Sequence, residues 1–378
     1  METGNAIELK GVTKRFGDVI ANDNVNLTVR KGEILSILGE NGSGKTTLMN
    51  MLSGIYFPDE GEVYVDGKEV TIRSPKDSFA LGIGMIHQHF KLINILTAAE
   101  NIILGLPGKE KLNMKQVEKE IRELTEQYGF DLNPSQKIYD MSVSQKQTVE
   151  IVKVLYRGAD ILILDEPTAV LTPQETEKLF AVLRNMRKAG KSIIIITHKL
   201  NEVLELSDRV AVLRKGKYIN TVETAKATVE SLTEMMVGEK VKLDINRTEP
   251  VGAEKRIEMR GITCKNKEGL KVLTEASFTA YSGEILGVAG ISGSGQKELL
   301  ESVAGLQPIE SGEILYFSPE GTTEKISEMK AEDIKNLGIT LSFVPEDRLG
   351  MGLVGSMNLT DNMMIRSYKE GRHFFADR

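Results

Sequence analysis

The sequence has 378 residues, of which 40% are hydrophobic, so it is long enough to bury sizeable cores and suggests about two or three domains. Its net charge of −6 and the lack of a long basic run argue against broad nucleic-acid binding, because phosphate backbones are held by clustered Lys and Arg. The single cysteine, Cys264, excludes an intramolecular disulfide, and no apolar run approaches the roughly 18 residues that span a bilayer. Residues 1–10 do not resemble a signal peptide, so a cytosolic, reducing setting is predicted.

Residues 7–38 predict β-structure that leads into a glycine-rich turn. Apolar and polar positions alternate there with short turn signals, a pattern typical of an antiparallel strand layer. Phe16 lies in this layer, where its ring either packs in a hairpin or offers a nucleotide base a surface to stack on. The apolar run at residues 33–38 then leads directly into the turn.

The turn itself, GENGSGKTT at residues 39–47, fits the phosphate-loop pattern G-x-x-x-x-G-K-[ST] and precedes a predicted helix over 45–52. Its glycines permit positive φ and a close approach of the backbone, so that successive N–H groups and the helix N-terminus face one bound anion. A chance match is the alternative, and the helix context argues against it. The predicted nucleotide-binding residues are Gly39, Asn41, Gly42, Ser43, Gly44, Lys45, Thr46 and Thr47. Lys45 is expected to contact the β- and γ-phosphates, and Thr46 to hold Mg²⁺.

A strand is predicted at residues 83–87, and His87, Gln88 and His89 stand in a row at its end. The chain has only four histidines, and no Cys or acidic partner lies near this pair in the sequence, which argues against a metal site built by the histidines. Gln88 is a neutral amide at a strand end, placed to contact Mg²⁺ or its water.

Residues 100–158 carry helical signals and predict a helical insert. Apolar side chains recur there at spacings of three and four on a charged segment, which predicts an amphipathic helix. These side chains are Val117, Ile121, Leu124 and Tyr128. A second helix is predicted to begin near Ser142 and to end at Arg157, before Gly158.

Two short apolar runs predict buried parallel strands with polar residues at their ends. Residues 161–164 precede Asp165 and Glu166, and residues 192–197 precede His198. Ligands of open α/β sheets gather beyond the carboxyl ends of the strands, so Asp165 is expected to hold Mg²⁺ through water and Glu166 to orient or deprotonate an attacking water. A lone histidine is usually structural, but its place after a buried strand favours a phosphate contact for His198.

The helix between these two strands is predicted to begin after Thr172 and to run to Lys188. Thr172, Pro173 and Glu175 fit a capping box with proline at the first helical position.

Residues 31–64 align without a gap with residues 282–315, so that the phosphate loop is duplicated. In the second copy Gln296 replaces the lysine and Lys297 the threonine, whereas the glycines at 290, 293 and 295 persist. The altered loop either still cradles phosphate without its catalytic cation and metal ligand, or serves only a strand-to-helix turn.

Taken together, the motifs resemble the ATP-binding subunit of an ABC transporter, an α/β P-loop NTPase with an antiparallel β layer and a helical subdomain. The resemblance rests on the phosphate loop, Gln88, MSVSQ at residues 141–145, Asp165 with Glu166, and His198. It implies, in that order, the Walker A loop, Q-loop, signature, Walker B with catalytic glutamate, and H-loop, with Phe16 as the adenine-stacking aromatic. The implied catalytic residues are Glu166, His198 and Gln88, the metal residues Thr46, Gln88 and Asp165, and the further nucleotide contacts Ser142, Ser144 and Gln145.

The tandem arrangement, the altered second loop and residues 343–348, FVPEDR, are similar to importers of simple sugars or nucleosides, and residues 82–102 favour the nucleoside type. The resemblance implies ATP and Mg²⁺ as cofactors, integral membrane permease subunits as partners, indirect contact with a substrate-binding protein, and a place on the inner face of the cell membrane. The expected domains are a first ABC ATPase domain at 1–239, a linker at 240–254, where periodicity is lost, and an incomplete second ATPase domain at 255–378.

Some positions depart from the family pattern. Val143 and Ser144 stand where the general family has glycines, Thr172 where many relatives have aspartate, and Glu346 where the first half has Gln88. No second signature, Walker B or H-loop follows before residue 378. Each ATP in this family lies between the Walker A of one domain and the signature of another, so the isolated chain is expected to hydrolyse MgATP slowly unless two copies pair.

The sequence leaves two other interpretations open. One is a soluble tandem ABC ATPase acting on ribosomes or another macromolecular complex, against which the short linker and the lack of a basic arm argue. The other is a non-catalytic nucleotide-binding regulator, which fits the second domain but not a first domain that carries Lys45 and Glu166.

Overall fold

The computed structural model describes residues 4–87, 90–106, 113–239, 252–265, 269–290, 294–337, 342, 344 and 352–365. The chain forms two compact units, Met1–Asp244 and Ile245–Arg378. The predictions for Gln88, Gly293 and Glu346, and for residues 240–251 of the linker, lie outside the described residues. No helix in the described part of the chain is long and apolar enough to cross a membrane.

The first unit alternates strands and helices after an initial strand pair. Its strands are β1 (Asn5–Phe16), β2 (Val19–Arg30), β3 (Ile34–Leu38), β4 (Glu60–Val65), β5 (Lys68–Val70), β6 (Ile83–Ile86), β7 (Ile161–Asp165), β8 (Ser192–Thr197), β9 (Arg209–Arg214) and β10 (Lys217–Glu223). Its helices are α1 (Lys45–Leu52), α2 (Pro75–Ala80), α3 (Ala98–Ile103), α4 (Met114–Tyr128), α5 (Val143–Tyr156), α6 (Pro173–Lys188), α7 (Leu200–Leu206) and α8 (Val229–Val237).

Two sheets make up the first unit. The antiparallel sheet has the order β2-β1-β4-β5, which confirms the predicted antiparallel layer for the first two strands. The second sheet has the order β10-β9-β3-β8-β7-β6 and is parallel except for β10 at its edge. The run before the phosphate loop therefore belongs to the parallel sheet and not to the antiparallel layer.

Burial explains why the sequences of the central strands are continuous apolar runs. Every residue of β3, β7 and β8 is buried, because helices and the antiparallel sheet cover both faces of the parallel sheet. The strands predicted at 161–164 and 192–197 are confirmed. The carboxyl ends of β3, β7 and β8 consequently lie side by side at one edge of the sheet.

The helices follow their predicted bounds closely. The helix predicted at 45–52 is α1, and the one predicted from Thr172 to Lys188 is α6, with both bonds of its capping box present. The amphipathic helix is α4, which buries Val117, Ile121 and Tyr128. Together α3, α4 and α5 enclose a core of their own, which accounts for the helical insert.

The second unit repeats the beginning of the first. Its elements are β11 (Lys255–Lys265), β12 (Lys271–Tyr281), α9 (Gln296–Val303), β13 (Ser311–Phe317), β14 (Thr323–Lys325), α10 (Ala331–Asn336) and α11 (Leu359–Met364). The sheet order β12-β11-β13-β14 matches β2-β1-β4-β5. Helix α9 follows Gly295 at φ +88°, just as α1 follows Gly44 at φ +95°.

One part of the repeat differs from its counterpart. Residues 285–289 align with β3 but form no strand, and Ile285 is 91% exposed. Strand β3 receives hydrogen bonds from β8 on one side and β9 on the other, whereas no strand among the described residues of the second unit pairs with residues 285–289. The apolar sequence alone does not make this segment a strand, because a parallel strand is stabilised by its neighbours.

Candidate functional site

The phosphate loop is shaped by glycines that have no room for a side chain. A Cβ at Gly39 would lie 2.3 Å from the Leu213 carbonyl oxygen, and one at Gly44 would lie 2.4 Å from the Ala21 carbonyl oxygen. Gly42 and Gly44 also adopt left-handed backbone at φ +80° and +95°. The loop is thus held against β2 and β9, and it leads directly into α1, whose first N–H groups lack helical acceptors and can bind an anion.

Lys45 lies inside this loop. Its ammonium donates hydrogen bonds to the carbonyl oxygens of Gly39 at 2.7 Å and Glu40 at 2.8 Å, and the residue is only 6% exposed. Burial lowers the pKa of Lys45, while the nearby carboxylates of Glu166 and Asp165 oppose that shift. A cation so poorly hydrated favours the arrival of an anionic ligand, which supports the predicted phosphate contact.

The two predicted metal residues of the described chain meet at the end of β7. Asp165 is buried, and burial raises the pKa of its carboxyl group, while a hydrogen bond from the Thr46 hydroxyl opposes the shift. A hydroxyl and a carboxylate are oxygen ligands of the kind that Mg²⁺ prefers. Within the described ranges, no group of three or more His, Cys, Asp or Glu side chains could hold a metal ion.

Glu166 and His198 are brought together by the pairing of β7 with β8. The His198 Nδ1 lies 2.9 Å from the Glu166 Oε1, although 32 residues separate them. Glu166 has left-handed backbone at φ +48°, and its N–H donates to the Ile196 carbonyl oxygen at 2.9 Å. The site therefore carries a fixed carboxylate beside Asp165, with an imidazole to orient it.

A cavity of about 100 Å³ opens onto Asp165 and Glu166, and His87 lies in its wall. Burial, followed by the charge of Lys91, lowers the pKa of His87, which favours a neutral imidazole at this point. The end of β6, from which the predicted Gln88 continues, thus lies next to the acidic pair.

The signature residues lie together at the start of α5. Ser142 caps this helix in a capping box with Gln145, and the Ser144 hydroxyl lies 3.4 Å from that of Ser142. Glu175 of α6 accepts hydrogen bonds from the Thr172 backbone and from the Ser144 side chain, and these lower the pKa of Glu175. Ser144 therefore makes a contact to α6 that glycine, the residue of the general family at this position, cannot make.

Phe16 lies at the end of β1 and remains 43% exposed. Its ring packs edge-on against Tyr56 at 5.1 Å between centroids, and the Lys14 ammonium lies 5.5 Å from the ring centre. The ring therefore packs locally against Tyr56, and the predicted stacking on a nucleotide base stays a prediction that its remaining exposure allows.

Several polar residues around the acidic pair were not predicted from the sequence. Gln147 is 5% exposed, and its Nε2 donates to the Pro167 carbonyl oxygen at 2.6 Å, which joins the signature helix to the segment after Glu166. It shares a buried helix face with Ile151 and Leu155 at spacings of four. A polar residue on an apolar stripe is the signal that could have found it. Thr168, Lys199 and Glu202 gave no comparable signal, because only the adjacency of β7 and β8 brings them together.

These features define a P-loop nucleoside triphosphatase. Three features lie at the carboxyl edge of one parallel sheet. They are a glycine-rich loop with a buried lysine after β3, a buried aspartate at the end of β7, and a glutamate paired with a histidine. Ligands of open α/β sheets bind at such edges.

Comparison with known proteins identifies the family. The family model described as ABC transporter matches residues 22–169. The chain is 45% identical, over 97% of its length and 72% of the relative's, to the nucleoside import ATP-binding protein NupA of Lactococcus lactis subsp. cremoris (strain MG1363). It is 43% identical, over 96% and 70%, to the guanosine import ATP-binding protein NupO of Bacillus subtilis (strain 168). It is 39% identical, over 97% and 71%, to the glucose import ATP-binding protein TsgD13 of Haloferax volcanii (strain ATCC 29605).

A solved structure agrees with the sequence relatives. A nucleotide-free ATP-binding cassette from an ABC transporter superposes with a TM-score of 0.54 at 26% identity, covering 62% of this chain and 96% of the other. The chain therefore belongs to the ABC transporter family, among the ATP-binding subunits of importers, which confirms the resemblance and the predicted fold class. The alternative of a ribosome-acting ATPase finds no support in these relatives.

Proposed function

We propose that this chain binds MgATP in its first unit and hydrolyses it to power the import of nucleosides through membrane-embedded permease subunits. The observation that carries the proposal is the Glu166–His198 pair at 2.9 Å, beside Asp165 and at the sheet edge where Lys45 lies. By the family relationship, the chain would work from the cytoplasmic face of the membrane, peripheral to its permease, with a substrate-binding protein contributing indirectly.

In this proposal Lys45 and the loop N–H groups hold the nucleotide phosphates. Thr46 and Asp165, already joined by a hydrogen bond, would hold Mg²⁺, which when bound neutralises phosphate charge. Phe16 would stack on the adenine, and Gln88 would face the same ion or its water. The oxygen donors present therefore fit a hydrated magnesium ion better than a softer metal.

Glu166 is proposed as the group that orients the attacking water and accepts its proton. Its carboxylate is fixed on one side by His198 and by the backbone bond to Ile196, so it enters the reaction with little freedom left to lose. His198 is half exposed on its own side chain and can reach a phosphate while it holds Glu166.

Replacing Glu166 tests the assignment. Glu166→Gln keeps the shape and the hydrogen-bonding reach of the side chain but removes its basicity, so we expect turnover to fall by at least about 10²-fold with MgATP affinity preserved. Glu205→Gln is the matched control, because Glu205 lies on α7 and pairs with Arg184 at the surface. Undiminished ATP hydrolysis by the Glu166 variant would refute the assignment.

The signature residues Ser142, Ser144 and Gln145 are proposed to contact ATP held by a second ATPase domain or a second copy. They are clustered at the start of α5 in a region of intermediate to high exposure, which supports a role at a contact surface. If two copies pair, ATPase activity per chain should rise with protein concentration, and Ser142→Ala should lower the activity reached at high concentration. Robust activity that does not depend on concentration would contradict the pairing.

The nucleoside assignment rests on the relatives, since both nucleoside importers are more similar to this chain than the glucose importer is. Deleting the gene for this chain and measuring uptake of labelled guanosine and of labelled glucose or ribose separates the two cargo classes. Loss of guanosine uptake alone is expected. Loss of sugar uptake alone would assign the chain to the sugar importers instead.

A further inference from the structure

Outside the residues already assigned, a polar cluster joins the segment after Glu166 to the start of α7. The Thr168 hydroxyl donates to Glu202 Oε2, and the Lys199 ammonium donates to the Thr168 carbonyl oxygen at 2.8 Å. The same ammonium lies 3.2 Å from the Thr168 hydroxyl and 3.0 Å from Glu202 Oε1. Each of the three side chains thus contacts the other two.

We propose that Glu202 and Lys199 are positioning residues that hold Glu166 and His198 in register through Thr168. This inference rests on the role proposed above for Glu166. Neither residue belongs to the sequence motifs described above, and neither is among the residues proposed to contact the nucleotide.

The cluster lies where it can control both catalytic side chains. Thr168 is two residues after Glu166, and Lys199 directly follows His198. The bond between Lys199 and Thr168 therefore adds a further link between the two strand ends, beyond the Glu166–His198 contact and the bond from the Glu166 N–H to Ile196. The Thr168 hydroxyl is almost fully buried and so is shielded from bulk water, although the Lys199 and Glu202 side chains are 37% and 20% exposed. Hydrogen bonds of such a connected network support one another.

The backbone of Glu166 explains why such a tie is needed. A residue with a side chain and φ near +48° is in a sparsely populated conformation, which costs about 1–3 kcal/mol and persists only when its surroundings hold it there. The surroundings in this case include the bond from the Glu166 N–H to Ile196, the His198 contact, the bond from Gln147 to the Pro167 carbonyl oxygen, and the cluster at Thr168. Loosening the last of these lets residues 166–168 relax, which moves the carboxylate.

The cluster acts on the acidic side of the site and leaves the phosphate loop untouched. Lys45 is held by the Gly39 and Glu40 carbonyl groups of its own loop. Removing the Glu202 carboxylate should therefore reduce turnover and leave nucleotide affinity nearly unchanged. A residue that merely stabilised the fold would not separate the two quantities in this way.

The test compares Glu202→Ala, Glu202→Gln and the control Glu205→Ala in the full chain. Glu205 is on the same helix and has the same charge, but it pairs with Arg184 at the surface. Since displacement of a catalytic group by about 1 Å can cost up to 10²-fold, we expect Glu202→Ala to lower kcat on the order of tenfold, with the Kd for a non-hydrolysable MgATP analogue changed less than about twofold. Glu202→Gln keeps one of the two acceptor oxygens, so it can accept from Thr168 or from Lys199 as the carboxylate does, and it should recover part of the rate.

Amide hydrogen exchange gives a readout that does not need turnover. Residues 166–171 should exchange faster in Glu202→Ala than in the parent chain, and Glu205→Ala should leave them unchanged. Thr168→Val keeps the shape of the buried side chain and removes its hydroxyl, so it is a smaller perturbation. Its kcat and its amide exchange at residues 166–171 should change in the same directions as those of Glu202→Ala.

A double-variant cycle decides whether the cluster acts through Glu166. In a Glu166→Gln background, Glu202→Ala should cause no further loss of rate, because the group that it positions has already been disabled. A full additional loss in that background, wild-type kcat in Glu202→Ala, or unchanged exchange at residues 166–171 would each overturn the inference. Failure of the underlying proposal is distinct, since Glu166→Gln alone would then remain active.

Discussion

Gly42 and Gly44 are the two left-handed glycines of the phosphate loop. Of the two, Gly44 is the one whose replacement with alanine should destabilise the first unit more. Two effects add. An L-residue in left-handed backbone at φ +95° costs about 1–2 kcal/mol. The new Cβ would also lie 2.4 Å from the Ala21 carbonyl oxygen and 2.7 Å from Asn22 Nδ2, and overpacking of this kind costs about 1–3 kcal/mol. The free energy of unfolding should therefore fall by about 2–5 kcal/mol.

Thermal unfolding of the full chain measures this change. The transition that MgATP shifts upward reports the first unit, Met1–Asp244, because ligand binding stabilises the unit that holds it. For a unit of this size about 1 kcal/mol corresponds to roughly 2–4 °C, so Gly44→Ala should lower that Tm by roughly 4–20 °C without nucleotide.

Gly42→Ala is the matched control. Gly42 also has left-handed backbone, at φ +80°, but a Cβ there would meet no atom within 4 Å. Only the backbone cost of about 1–2 kcal/mol remains, so Gly42→Ala should lower the Tm of the first unit by roughly 2–8 °C. Equal losses in the two variants would refute the reasoning that the β2 backbone leaves no room at Gly44.

Three further predictions concern single side chains. Burial raises the pKa of Asp165, so its charge destabilises the ligand-free fold above that pKa. The Asp165→Asn variant should therefore have a higher free energy of unfolding in urea at pH 7, and its advantage over the parent chain should shrink as pH falls through the raised pKa. Its affinity for MgATP should drop. A gain that does not vary with pH would contradict this. Gln147→Leu removes the bond to the Pro167 carbonyl oxygen and should cost about 1–3 kcal/mol in urea unfolding; an unchanged midpoint would mean that this carbonyl finds another partner. Phe16→Ala should weaken ATP binding by about 1–3 kcal/mol in a fluorescence titration, whereas Phe16→Tyr should not. If Phe16→Ala binds ATP as tightly as the parent chain, the ring serves only to pack against Tyr56.

Much of the fold was predictable because its signals are local. The capping box of Thr172 and Glu175 located the start of α6, and the phosphate-loop pattern located α1, since a helix end is specified by residues a few positions apart. Continuous apolar runs identified β7 and β8 as buried parallel strands for a similar reason. The altered second copy shows the limit of such signals, because residues 285–289 repeat the apolar pattern of β3 without forming a strand.

The candidate site, like the fold, was predictable from the sequence only in part. The sequence by itself determined which residues could do chemistry at strand ends: the loop lysine, the acidic pair and His198. Only the tertiary structure decided that β8 lies beside β7, which places His198 2.9 Å from Glu166 and lets Lys199 and Glu202 reach Thr168. The physical reason is that strand order is set by long-range hydrogen bonding and burial between segments distant in the chain, and no local pattern encodes which strand ends become neighbours.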